Sequence, residues 1–129
     1  MDALENDYTK MWIKDGILYC VYKPGLEVNL KIAEICVKER IKLSNGNTYP
    51  MFGDISHIKK TDREAREYLS KGDGIRFLSA GAFLIKTQVE KYTGNFWMRI
   101  NKPPLPVKLF TVESEAIEWL KNYRITNLN

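Results

Sequence analysis

The chain is poor in the residues that carry most enzyme chemistry. It has one histidine, His57, and two cysteines, Cys20 and Cys36, in 129 residues. Without a Cys-x-x-Cys pair or a Cys/His cluster no metal site is expected, and no cofactor is assigned. Both cysteines sit in apolar runs and read as buried, reduced thiols rather than a secreted disulfide framework. No apolar run approaches the roughly 20 residues that cross a bilayer. Residues 1–8 are polar and acidic, without the basic start and apolar stretch of a signal peptide. The expected location is therefore cytoplasmic. Gly72-Asp73-Gly74 has neither dinucleotide-binding spacing nor a phosphate-loop lysine, so it reads as a turn. The formal net charge is only +4. Its cations interleave with acids, as in Lys38-Glu39-Arg40 and Asp62-Arg63-Glu64. Interleaving marks solvated helix faces rather than a phosphate-tracking stripe, and no nucleic-acid partner is assigned.

What is present is a regular alternation of elements. The hydrophobic share of 44% is enough for one core, and the chain reads as a single domain over residues 1–129, frayed at 1–8 and 124–129. Residues 11–14 form a short strand, and Asp15-Gly16 is a strong hairpin signal. Residues 17–23 alternate with apolar side chains on both faces, which suits a central strand. Asn29 caps a helix to about residue 43, with Leu30, Ala33, Val37 and Ile41 on one face. Residues 51–56 are a strand. Thr61 and Glu64 have capping-box spacing for a helix through Leu69. Residues 80–86 are a strand, followed by a helix over 88–100 whose Val89, Tyr92, Phe96 and Ile100 are expected in the core. Residues 106–110 make a last strand. Thr111 caps a final helix with Ala116, Trp119, Leu120 and Tyr123 facing inward. The fold class is thus α/β: a mixed, mainly parallel sheet of about five strands flanked by four helices, opening with a β-hairpin.

This order, with Trp12 to Gly16, Tyr22-Lys23-Pro24-Gly25, Tyr49-Pro50 and Asp54-Ile55, resembles the STAS domain of anti-sigma-factor antagonists. Ala65-Arg66-Glu67-Tyr68-Leu69, Thr93-Gly94-Asn95-Phe96, Lys102-Pro103, Phe110-Thr111 and Ala116 to Leu120 continue the likeness over about residues 11–123. It looks most like small uncharacterised bacterial proteins described as STAS/SEC14-like. STAS antagonists carry a phosphorylatable Ser or Thr where the central strand meets the next helix, just after an aspartate. Here that junction holds Thr61 before Asp62, the reverse order, with Ser56 a few residues upstream.

Asp54, Ser56 and His57 invite a catalytic triad, but neighbours along a strand point to opposite faces, and no catalytic residue is assigned. The reading is a non-enzymatic protein-interaction or regulatory module, phospho-regulated at Thr61 or Ser56 as the resemblance implies. Its surface for another protein is Asp54, Ser56, Thr61, Asp62 and Arg63. Lys91, Asn95 and Arg99, with Trp97, form a secondary surface, and apolar residues around Phe96 and Trp97 suit a homodimer. The alternative is a domain binding a small apolar or lipid-like ligand, with Tyr19, Tyr22, Tyr68, Tyr92, Phe96 and Trp97 as pocket material.

Overall fold

The structure, a computed structural model, describes residues 2–125 apart from the side chain of Trp97. The expectations placed on that side chain and on the last four residues lie outside the described residues. The expected hairpin joins β2 (Thr9–Lys14) to β3 (Ile17–Tyr22), with Lys14 opposite Ile17. Asp15 and Gly16 both take positive φ, 53° and 77°, the conformation a type I′ turn requires. β5 (Tyr49–Asp54), β7 (Leu78–Leu84) and β8 (Val107–Phe110) then add in parallel beside β3.

The sheet has six strands rather than about five. The extra one is β1 (Ala3–Glu5), antiparallel on β2 at the edge. Three residues are too few to show an alternation in sequence. A separate ribbon pairs β4 (Glu27–Val28) with β6 (Lys60–Thr61).

Four helices flank the sheet. In α1 (Leu30–Ser44) the Asn29 side chain accepts from the Ile32 N–H at 2.9 Å, as expected of the cap. In α2 (Arg63–Leu69) the cap is Asp62, whose carboxylate accepts from the Ala65 N–H at 2.9 Å. Thr61 is not the cap: its backbone is committed to the ribbon opposite Val28. A carboxylate is also the better partner for a helix N-terminus, where the dipole favours negative charge. Similarly, α4 (Glu113–Leu120) starts after Val112 rather than at Thr111. No helix among the described residues is long and apolar enough to cross a membrane.

α4 covers one sheet face, where Ile17, Phe52, Ala80, Ala82 and Phe110 meet Ala116 and Leu120. Trp119 and Tyr123 pack at its margin, half-buried. On the opposite face Met11, Leu18, Cys20 and Met51 meet Leu43 of α1, and α2 joins α1 through Ala33, Ala65 and Val28.

α3 (Gln88–Ile100) departs from expectation. Val89, Tyr92, Phe96 and Ile100 are exposed, at 75, 67, 58 and 58%. The helix approaches β8 through Gly94 and Asn95 instead. A Cβ on Gly94 would fall on the Leu109 side chain, so a small residue is what lets the helix come close. Periodicity identifies an apolar face but not what covers it.

Candidate functional site

Asp54 ends β5, and its carboxylate accepts the Ser56 backbone N–H at 3.0 Å and the Ser56 hydroxyl at 2.6 Å. The serine oxygen is thereby tied to the acid, not to His57, whose side chain is exposed and whose backbone carbonyl takes the Gly25 N–H at 2.9 Å. Nucleophile, base and orienter are not assembled here. Farther along, Asp62 caps α2, Arg63 pairs with Glu67 at 3.1 Å on the exposed helix surface, and the Arg66 guanidinium donates to the Thr61 carbonyl. Asp54 is thus joined to Ser56, and Thr61 to Arg63 form a contiguous stretch. No hydrogen bond or ion pair links the two groups among the described residues. No cluster of three or more His, Cys, Asp or Glu side chains suited to a metal occurs among them either.

Of the secondary surface, Asn95 is not a free surface donor. It is half-buried, its Nδ2 donates to the Leu109 carbonyl at 3.2 Å, and its Oδ1 accepts the Leu109 N–H at 2.9 Å. Lys91 sits 5.2 Å from the Tyr92 ring centre, and with Arg99 it flanks an open groove between α3 and the proline-rich connection that includes Pro103 and Pro106.

A feature unread in the sequence is a partly enclosed cavity of about 420 Å³ on the sheet face shared with α1 and α2. Its floor is Cys20, Met51, Gly81 and Phe83. The Phe83 ring lies over two glycines: a Cβ would come within 2.7 Å of it at Gly53 and 3.1 Å at Gly81. α1 contributes Cys36, Val37 and Arg40 to the walls, and Leu69 and Met98 come from α2 and α3. Of the six aromatics proposed as pocket material, Tyr22 lines this cavity. Tyr19 lies on the other sheet face, stacked on Trp12 at 5.0 Å between ring centres. Tyr68 packs between α1 and α2, while Tyr92 and Phe96 point outward.

The polar groups of the cavity are few and shaped by burial. Cys20 and Cys36 are free and buried, and desolvation pushes their thiols up to about 12 and about 11, so both stay protonated and unreactive near neutrality. Burial likewise raises the Tyr22 phenol well above its ordinary value. Arg40, which its charged neighbours suggest is solvated, is only 3% exposed. Its Nη1 donates to the Arg76 carbonyl at 2.8 Å, and its Nη2 to the carbonyls of Asp73 and Gly74 at 3.1 and 3.3 Å. No carboxylate pairs with it among the described residues. Helical spacing could have found it, since residue 40 lies three and four positions after the buried Val37 and Cys36.

Residues 11–124 match the family described as Domain of unknown function (DUF7793). No curated protein matches. Among solved structures, an uncharacterised DUF3478-family protein with a SpoIIAA-like fold, from Shewanella loihica PV-4, aligns with a TM-score of 0.60 at 12% identity. The alignment covers 91% of this chain and 98% of that one. A protein of unknown function from Arthrobacter sp. FB24 is 28% identical over 86% of this chain and 97% of its own, with a TM-score of 0.35. The Shewanella likeness is one of fold, and it supports the STAS-like architecture. Neither description mentions SEC14.

Proposed function

We propose that this chain, which belongs to the family described as Domain of unknown function (DUF7793), is a non-catalytic STAS-like binding and regulatory module whose ligand site is the apolar cavity. One observation carries this reading. A space of about 420 Å³, walled almost wholly by carbon, lies where a domain of this size ordinarily has packed side chains. Small-molecule sites run from about 300 to 1,000 Å³. Because the cavity is only partly enclosed, its apolar lining meets water, and an apolar ligand filling it would remove that contact at roughly 25 cal/mol per Å².

The neutral apolar dye diphenylhexatriene tests the site. Wild-type protein should bind it saturably with a fluorescence gain. Val37→Phe, which fills the space from α1, should lose binding while keeping its far-ultraviolet circular dichroism. Absence of saturable binding by the wild type, together with no co-purifying small molecule in native mass spectrometry, would overturn the reading.

The junction of Asp54, Ser56, Thr61, Asp62 and Arg63 is the proposed surface for a protein partner. Thr61 supports coupling between the two, because it also lines the cavity. Phosphorylation at Ser56 would set a phosphate against the Asp54 carboxylate that now accepts its hydroxyl, and at Thr61 it would stand beside Asp62 and Glu64, so like charge opposes either site.

A second reading is favoured by the exposed apolar face of α3. Its proposed occupant is another copy of the chain. Turned about a two-fold axis, α3 meets itself antiparallel, with Val89 opposite Ile100 and the acid Glu90 opposite the base Arg99. The helix ends thus match in apolar pattern, while the Glu90 carboxylate also accepts from the Thr87 N–H and hydroxyl of its own chain.

A further inference from the structure

We infer that the cavity's ligand is a single-chain amphiphile with an anionic head, its tail over Met51 and Phe83 and its head toward Arg40. This rests on the cavity being a ligand site.

Two arginines, Arg40 and Arg66, and no aspartate or glutamate line the cavity. Three backbone carbonyls engage Arg40, but carbonyls satisfy hydrogen bonds without neutralising a charge. A guanidinium withdrawn from water without a counter-charge is costly, and that cost is relieved when an anion enters. Burial already pulls the proton affinity of Arg40 down, the direction expected of a cation lacking a counter-ion. Tyr22, protonated and within range of the Arg40 charge, supplies a hydroxyl on the same lining. Arg66 is exposed on α2, and its guanidinium rests on a carbonyl rather than on an acid. A cationic head would meet two like charges here, and a neutral head would leave the buried Arg40 without a counter-charge.

Stapling the 3₁₀ turn Gly72–Ile75 to α1 accounts for the Arg40 hydrogen bonds. It does not account for a cavity lined by two cations and no anion. The two roles therefore separate by experiment.

Isothermal titration of the full chain with laurate, dodecyl phosphate, dodecanol and dodecylamine, all below their micelle concentrations, holds the tail constant while the head changes. At least one anionic ligand should bind about tenfold or more tighter than dodecanol, the worth of one charge-assisted contact, with dodecylamine weakest. The ratio of laurate to dodecyl phosphate tells a carboxylate head from a phosphate head. Arg40→Gln should erase the preference over dodecanol while still binding dodecanol. Should that variant fail to fold, Arg66→Gln on the exposed surface should reduce the preference several-fold. Equal binding of all four ligands by the wild type overturns the anionic head and leaves the cavity reading standing. Binding of none overturns the cavity reading itself.

Discussion

At Arg40 charge pattern and helical spacing give opposite answers. Its neighbours Lys38 and Glu39 suggest a solvated face, yet the position continues the inward line of Ala33, Cys36 and Val37. Spacing prevails because a long guanidinium can be buried when carbonyls receive its N–H groups, and the turn after α2 supplies three. Such partners lie more than thirty residues away, so no local pattern announces them. Gly74, whose carbonyl is one of the acceptors in this arrangement, is as tightly held. A Cβ there would land on the Tyr68 carbonyl oxygen and 2.7 Å from the Leu69 Cα, both rigid backbone. Gly74→Ala should therefore lose about 1–3 kcal/mol of stability, seen as a lower urea midpoint. An unchanged midpoint would show that the close approach is not present in solution.

Among the elements, those with their own punctuation were legible in sequence. The Asp15-Gly16 hairpin and the Asn29 cap depend on residues adjacent to the structure they make. The cap of α2 slipped by one residue because Thr61 and Asp62 are both good caps, and only the distant β4 decides between them. α3 is the instructive failure, since its apolar stripe was found but its direction was not. That direction has a measurable consequence. With Phe96 58% exposed, Phe96→Asp should change the unfolding free energy of the monomer by no more than about 0.5 kcal/mol, as ordinary surface substitutions do. If α3 pairs with its copy, the same change should convert a sedimenting dimer to monomer. A variant that fails to fold would place Phe96 in the core after all, and a wild-type monomer at millimolar concentration would exclude the pairing.

For the molecule as a whole, the alternation of strands and helices conveyed the architecture, but not the cavity. That space is bounded by residues from the strands β3 to β8 and the helices α1 to α3, and its floor depends on two glycines lying beneath one phenyl ring. Aromatic content, the signal available in sequence, pointed mostly to other places. The two thiols that line it make stability depend on pH. Unfolded cysteines ionise near pH 8.5, whereas the folded Cys20 and Cys36 hold their protons up to about 12 and about 11. The folded values are raised, so this contribution is complete below the unfolded value and is lost as pH rises toward the folded ones. Each thiol then removes about 1.4 kcal/mol per pH unit above roughly 8.5. Under reducing conditions the melting temperature of wild type should fall more steeply from pH 8 to pH 10.5 than that of the Cys20→Ala, Cys36→Ala double variant. Parallel curves would mean the thiols are already open to solvent.

The Asn95 amide carries one more consequence. The N–H groups of Gly81 in β7 and of Ile85 just after it take the carbonyls of Pro106 and Phe110, so the N–H and C=O of Leu109 point away from the sheet at its last strand. That is where a foreign strand would add, the usual start of edge-to-edge aggregation. By offering one donor and one acceptor to Leu109, the Asn95 side chain imitates the peptide group of a missing neighbour and closes the sheet without lengthening it. An Asn95→Ala change would leave the Leu109 N–H and C=O without that partner and expose this edge to strand addition.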